Sequence, residues 1–165
     1  MTWMPSFLSS RSDVAFTGFD IVEANINHHR ERFRDTDWKF EVHDIVTDHI
    51  ENSYDLIISR HTTQHLLTSD VVKVIRNFVD SSSKFLLTSS YPNTKVRICC
   101  GRSVSNCPFQ PNEELDVDKS YRHRPLNFYL KPFYFPPAVC DTRDVNDDRI
   151  MLWDLSTISL QKPSA

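Results

Sequence analysis

The first 92 residues alternate between short apolar runs and longer amphipathic stretches. The apolar runs predict buried strands at 14–22, 38–42, 54–59 and 84–91, and Pro92 stops the last of them. A polar stretch at 23–34 predicts a helix that turns Ile26 and Phe33 inward. Each of these segments is short, as the elements of a compact α/β protein usually are.

A second helix is predicted at 71–79, because its apolar residues are spaced three and four apart and share one face. Ser69 or Asp70 is expected to cap its first turn. The resulting order is strand, helix, strand, strand, helix, strand. That order predicts an α/β fold with an open, doubly wound and mostly parallel sheet.

The pattern changes after Pro92. Residues 93–118 are polar and irregular, and we expect a loop or an insertion there. Residues 121–137 are rich in proline and aromatic side chains, which suits a segment at the sheet edge or a lid, since proline cannot donate to a central ladder. The run RIMLWDLSTISL, from Arg149, predicts a C-terminal strand that adds antiparallel. All of 1–165 is expected to form a single domain.

Composition and charge exclude several classes of protein. The chain is 39% hydrophobic and 25% charged with a net charge of -3, so no basic surface indicates binding to nucleic acid or to an anionic membrane. The start of the chain is unlike a signal peptide, and no apolar run approaches a membrane span. We therefore expect a cytoplasmic protein whose four cysteines are free thiols and which binds no metal.

The chain has two glycines, Gly18 and Gly101, and neither belongs to a repeated glycine pattern. A loop that cradles phosphate needs glycines so that the backbone can approach the anion closely. The sequence thus contains no complete P-loop or dinucleotide fingerprint.

Polar residues at the ends of the predicted strands are the candidates for chemistry. In open α/β sheets ligands bind outside the carboxyl ends of the strands, where Asp20, Asp44 and the group Ser59, Arg60 and His61 lie. Two acids on successive strand ends suit a nucleoside, one for the ribose hydroxyls and one for the adenine amino group. The alternative is structural, since an aspartate after a strand commonly caps a helix or forms a turn.

Three segments resemble the class I S-adenosylmethionine-dependent methyltransferases: FTGFDIVEANI, FEVHDIV and YDLIISRHTTQHL. The resemblance implies a Rossmann-like methyltransferase sheet and S-adenosyl-L-methionine as the methyl donor. It implies that Asp20 holds the ribose and Asp44 the adenine, with Ile21 and Ile45 on either side of the base. Ser59 would line the methyl-donor end of the site.

Two further matches are similar to a subgroup with a Gly-Asp-x-x-Trp-Met turn and a late Arg-Pro-Leu-Asn…Pro-Phe-x-Phe-Pro run. Residues 124–127 and 132–136 match the late run, and Trp3 and Met4 match the end of the turn. Trp3 and Met4 would then contact the donor. Since Met1 falls inside that motif, we expect a fragment that lacks the first strand and its glycine-rich turn, encoded in frame upstream.

The resemblance predicts methyl transfer to a small molecule, with a protein side chain as the second choice of acceptor. We expect His61 and Arg60 to be the catalytic residues, in contact with substrate or donor. Two alternatives remain open: a non-catalytic methyltransferase-like remnant or interaction protein, and a nicotinamide-dependent oxidoreductase that would also place Asp20 on a ribose.

Overall fold

The structure is a computed structural model, and it describes residues 4–92, 98–99, 102–103, 111–115, 124–143 and 149–160. Its contacts divide the chain into two compact units, Met1–Asp48 and His49–Ala165, each of which is described by itself. The expectation of a single domain over 1–165 stays a prediction. Among the described residues, no helix is both long and apolar enough to cross a bilayer.

The first unit contains two parallel strands joined by a helix. Its elements are α1 (Met4–Ser9), β1 (Thr17–Asp20), α2 (Glu23–Arg32) and β2 (Lys39–Val42). Strands β1 and β2 pair with Thr17 opposite Lys39 and Asp20 opposite Val42. Both strands and helix α2 were predicted, although β1 is shorter than the apolar run that indicated it. Helix α1 was not predicted.

Aromatic side chains pack closely over Gly18 of β1. Phe40 is buried on β2, and a Cβ added to Gly18 would lie 3.1 Å from the Phe40 ring and 3.3 Å from the Phe16 ring. Glycine at this position therefore lets the two aromatic rings pack over the strand. Helix α2 is attached to the same strand by Arg30, whose Nε donates to the Phe40 carbonyl at 2.9 Å, and its Ile26 is buried.

The second unit is built on a mixed four-stranded sheet. Its elements are β3 (Leu56–Ser59), a 3-10 turn (Thr63–His65), α3 (Thr68–Asp80), β4 (Phe85–Ser90), β5 (Ile98–Cys99), β6 (Arg102–Ser103), β7 (Cys140–Arg143), β8 (Arg149–Asp154) and a 3-10 turn (Leu155–Thr157). The order in the sheet is β3-β4-β8-β7, while β5 and β6 form a separate antiparallel pair. Strands β3 and β4 are parallel, and β8 is antiparallel to β4, as predicted. The predicted α/β fold class is confirmed.

Helix α3 buries the predicted stripe. Val71, Val74 and Ile75 are fully buried, and Phe78 is 3% exposed. The predicted cap is wrong, because the helix begins at Thr68 and the residue at the N-cap is Leu67, whose side chain makes no capping hydrogen bond. Local spacing could not show this, since the acceptor for the first turn comes from residue 114.

That acceptor is the Glu114 carboxylate, which takes the Thr68 backbone N–H at 3.1 Å. Arg124 joins the same group: its Nη1 lies 3.4 Å from Glu114 and its Nη2 donates to the Thr68 hydroxyl at 3.1 Å. The Arg124 side chain is completely buried, and its Nε has no hydrogen-bond partner among the described residues. We call Thr68, Glu114 and Arg124 the helix clamp. The first residue of the Arg-Pro-Leu-Asn motif thus has a structural role.

The rest of the proline and aromatic segment is packed as core and forms no strand in its described part, 124–137. Its buried hydrophobic side chains include Leu126, Phe128, Phe133 and Phe135. Phe128 and Phe135 lie against Trp153 of β8, which is fully buried and donates its Nε1–H to the Pro136 carbonyl at 3.0 Å. The expected place of this segment, at the sheet edge or in a lid, stays a prediction, while these side chains are part of the interior of the second unit.

The helix clamp predicts a stability that depends on pH. Partial burial raises the pKa of Glu114, but hydrogen bonds from Thr68 and Leu115 and the charge of Arg124 outweigh it and hold the pKa below the ordinary 4.5. The folded pKa is therefore depressed, so the stabilisation is present above about pH 4.5 and disappears as the pH falls through the folded pKa. We expect the stability difference between the unmodified chain and Glu114→Gln to shrink over that acidic range. Urea denaturation at pH 7, 5, 4 and 3 measures it, and a constant difference would contradict the prediction.

Candidate functional site

The carboxyl end of the β1–β2 pair brings the two predicted acids to one edge. Asp20 ends β1 opposite Val42, and the His43 N–H donates to the Asp20 carbonyl at 3.0 Å. Asp44 follows two residues after Val42. Because the strands are parallel and in this register, both carboxylates follow the strands at the same end of the sheet.

Both acids also have structural partners. Asp20 accepts from the Val22 N–H at 2.8 Å and from the Asn25 amide at 3.0 Å, which orders the start of α2. Asp44 accepts from the Val46 N–H at 2.9 Å. The turn-forming role that was the alternative for a strand-terminal aspartate is therefore present at both positions. An ionised carboxylate has about four acceptor sites, so these bonds leave capacity for a ligand.

A third acid that sequence reasoning missed lies beside them. Asp48 accepts the Asp44 backbone N–H at 2.9 Å, and the Thr47 hydroxyl donates to it at 3.1 Å. The bond from Asp44, with help from Thr47, lowers the pKa of Asp48 below its ordinary value. The spacing of four residues between Asp44 and Asp48 could have indicated this contact from the sequence. Asp48 positions the turn that holds Asp44.

Apolar side chains are exposed at the same edge. Ile21 is 63% exposed, and Val22 and Val42 are each 47% exposed. Ile45 is half-buried. Large apolar side chains beside two carboxylates form a mixed surface of the kind that binds a heterocyclic ring together with its polar substituents.

The second group of predicted residues follows β3. Ser59 is 6% exposed, and its Oγ is buried without a hydrogen-bond partner among the described residues. Arg60 and His61 are exposed. His61 has a φ of 55°, in the left-handed region, and its N–H donates to the Ser89 hydroxyl at 3.3 Å.

The serine and threonine residues at the end of β4 satisfy backbone groups inside the second unit. The Thr88 hydroxyl donates to the Ser59 carbonyl at 2.6 Å. Ser90 is fully buried, and its hydroxyl accepts the Phe128 N–H at 3.3 Å and donates to the Leu126 carbonyl at 3.4 Å. These hydroxyls fix the neighbouring chain segments.

Sequence reasoning also missed Gln64 and Tyr91. The Gln64 amide lies 3.2 Å from His61 Nδ1 and accepts from the Tyr91 hydroxyl at 3.1 Å. The contact spans 27 residues in sequence, so no local pattern could indicate it. Met4 is the first residue of α1, whereas Trp3 lies outside the described residues. In the described part of the chain, no group of three or more His, Cys, Asp or Glu is placed to hold a metal ion.

No protein-family model matches the chain, and no curated protein sequence matches it. Among solved structures, the chain is similar to the PH0226 protein from Pyrococcus horikoshii OT3, with a TM-score of 0.59 and 16% identity over 90% of this chain and 75% of that one. It is also similar to an S-adenosylmethionine-dependent methyltransferase from Mesorhizobium loti, with a TM-score of 0.46 and 19% identity over 61% of this chain and 46% of that one.

A further similar structure is the N-methyltransferase NodS from Bradyrhizobium japonicum WM9 in complex with S-adenosyl-L-homocysteine, with a TM-score of 0.42 and 18% identity over 48% of this chain and 42% of that one. The chain therefore spans less than half the length of the NodS and Mesorhizobium loti enzymes. The likeness to the PH0226 protein extends over most of this chain and shows the fold. The protein has a Rossmann-like α/β fold with antiparallel C-terminal strands.

Proposed function

We propose that the protein binds S-adenosyl-L-methionine and transfers its methyl group to a small molecule, with a protein side chain as the second choice of acceptor. The observation that supports this most is the register of β1 and β2, which brings Asp20 and Asp44 to one edge beside exposed Ile21. The sequence motifs around these acids resemble those of class I methyltransferases.

The groups at that edge fit the nucleoside part of the donor. Carboxylates are acceptors, and the ribose hydroxyls and the adenine amino group are donors. Asp20 would hold the ribose and Asp44 the adenine amino group, while Ile21 and Ile45 would lie against the base. Roles for Ser59, Trp3 and Met4 in donor binding stay predictions.

When bound, the donor supplies an electrophilic methyl carbon on a sulfonium. The protein would contribute orientation of the acceptor, and a base only where the acceptor nucleophile is protonated at neutral pH. We assign these tasks to Arg60 and His61, which are exposed after β3. An imidazole nitrogen is a common general base, and the exposed ring of His61 is accessible to an acceptor.

Calorimetric titration with S-adenosyl-L-methionine tests the proposal, and Asp20→Asn is the sharpest variant. Asparagine still accepts the Val22 N–H, so the turn is retained while the charge is removed. Loss of charge-assisted hydrogen bonds of about 1.5–3 kcal/mol each is expected to weaken binding about 10- to 100-fold, and Asp44→Asn is expected to weaken it less.

Asp35→Asn is the matched control, because it removes an exposed carboxylate elsewhere in the first unit. It is expected to leave the affinity unchanged. Equal affinity of Asp20→Asn and the unmodified chain would contradict the assignment of Asp20.

A non-catalytic protein is the second candidate, and one observation favours it. Asp20 and Asp44 already accept hydrogen bonds from Val22, Asn25 and Val46, so both acids have a structural reason to be present. Absence of donor binding by the folded, unmodified chain would support this alternative and reject methyl transfer.

A further inference from the structure

His61 is held in a backbone conformation that side chains rarely adopt. Its φ of 55° lies in the left-handed region, which is unfavourable for a residue with a Cβ and persists only where the surroundings enforce it. One contact that holds this backbone is a hydrogen bond from the His61 N–H to the Ser89 hydroxyl on neighbouring β4, at 3.3 Å. Ser89 is 5% exposed, so this anchor belongs to the interior.

The His61 side chain is the outer end of a chain of three polar groups. Gln64 Nε2 lies 3.2 Å from His61 Nδ1, and the Tyr91 hydroxyl lies 3.1 Å from Gln64 Oε1. Gln64 is 6% exposed and Tyr91 is 5% exposed, whereas His61 is exposed. An imidazole at the surface is thus connected to a buried amide and a buried phenol. We call these three residues the imidazole relay.

Backbone contacts from the buried segment at 124–126 hold both inner members of the relay. The Arg124 N–H donates to the Gln64 carbonyl at 3.2 Å, and the Tyr91 N–H donates to the Leu126 carbonyl at 2.8 Å. These main-chain bonds fix the backbone that carries Gln64 and Tyr91, so both side chains start from anchored positions although the amide itself can rotate.

The amide determines which imidazole nitrogen is an acceptor. With Nε2 of Gln64 toward the ring, Nδ1 accepts and the ring proton lies on the imidazole Nε2. If the amide turns over, its Oε1 accepts from Nδ1–H and its Nε2 donates to the phenol oxygen. A hydroxyl both donates and accepts, so Tyr91 satisfies either orientation. The relay therefore tolerates the neutral ring in both tautomers and the protonated ring as well.

We propose that Gln64 and Tyr91 are positioning residues that hold the His61 imidazole through its Nδ1 and keep a hydrogen-bond partner on that nitrogen in each of its protonation states. In the orientation with Nδ1–H bonded to Gln64 Oε1, the imidazole Nε2 takes a proton from the nucleophilic heteroatom of a methyl acceptor, whose electron pair stays on that heteroatom. The imidazolium then returns the proton to water. The role toward an acceptor rests on the proposed methyl transfer, whereas control of His61 by Gln64 and Tyr91 does not.

Nitrogen-15 NMR of the histidine side chains tests the proposal, with the His61 signal assigned by its loss in His61→Gln. Gln64→Glu places a carboxylate against Nδ1, which favours Nδ1–H and the imidazolium, so the His61 pKa is expected to rise by about one unit or more. Exposed His65, in the same turn, is the internal control, and its pKa is expected to move much less.

Tyr91→Phe provides a second and milder test, because it keeps the ring that fills the interior and removes only the hydroxyl. Without the hydroxyl, one amide orientation leaves the Gln64 carbonyl oxygen without its phenol partner and the other leaves an amide N–H without one. Because these two losses differ in cost, the ratio of the two neutral His61 tautomers is expected to change at least twofold. A lower thermal midpoint in these variants with an unchanged His61 pKa and tautomer ratio would overturn the proposal.

The test separates this proposal from the proposed function. A His61 pKa that responds to Gln64→Glu supports the relay even if donor titration shows no binding. If S-adenosyl-L-methionine binds but the His61 pKa and tautomer ratio are unchanged in both variants, the relay is overturned. The proposed methyl transfer is then unaffected.

Discussion

Replacing Trp153 by alanine is expected to lower the free energy of unfolding of the second unit by about 4 kcal/mol. The indole is fully buried on β8, in edge contact with the Phe128 ring at 5.8 Å and the Phe135 ring at 5.3 Å between centroids. Alanine removes these contacts, leaves a cavity in the aromatic cluster and deprives the Pro136 carbonyl of its donor. Urea denaturation followed by far-ultraviolet circular dichroism measures the change.

Trp153→Phe is the matched variant, because it keeps an aromatic ring and removes the Nε1–H. Loss of that hydrogen bond and of part of the ring is expected to lower stability by about 1–2 kcal/mol. If Trp153→Ala lowered the free energy of unfolding by less than Trp153→Phe, the aromatic cluster around Trp153 would not be the core of the second unit.

Glu114→Ala is expected to destabilise the protein by about 2–3 kcal/mol, a large effect for an exposed residue. The substitution leaves the completely buried Arg124 guanidinium without its opposite charge and removes the acceptor of the Thr68 N–H. An uncompensated buried charge is normally more costly, but the Glu114 side chain is 57% exposed and nearby water reduces the penalty. The same urea denaturation measures it, with Glu51→Ala as the control for another exposed carboxylate of the second unit.

The double variant Glu114→Ala/Arg124→Met distinguishes a charge effect from simple loss of contacts. Methionine fills the buried volume without a charge, so we expect the double variant to be more stable than Glu114→Ala alone. If the double variant were the less stable of the two, the buried guanidinium would not be the source of the penalty.

Elements defined by local periodicity were predicted well. The stripe of Val71, Val74, Ile75 and Phe78 is buried on α3, because side chains three and four apart share one helix face whatever surrounds the helix. Strand β7 was not predicted: Cys140, Asp141 and Thr142 are exposed, and pairing with β8 is what makes this polar segment a strand.

In the candidate site, too, features set by local sequence were predicted, whereas contacts between distant segments were not. Asp20 and Asp44 were expected together, and the parallel register of β1 and β2 brings them to one edge. Contacts across long stretches of sequence gave no local signal, so neither the link from Gln64 to Tyr91 nor that from Thr68 to Glu114 was anticipated. The proline and aromatic segment was expected at the sheet edge or in a lid because proline cannot join a central ladder, and its burial was not anticipated, since proline does not prevent burial outside a ladder.

The strand order of the second unit has a consequence for synthesis on the ribosome. Strand β8 lies between β4 and β7, although it follows both in the chain. The ribosome therefore releases β4 about sixty residues before the strand that covers its open side, a delay of about 3–12 s at ordinary rates of translation. During that interval β4 has an unpaired edge, and Phe128 and Phe135, once synthesised, lack Trp153 until β8 follows. The nascent chain then exposes apolar surface and a strand edge of the kind that favours aggregation. Rare codons between Ser90 and Arg149 would lengthen this exposure and lower the yield of folded protein without changing one amino acid.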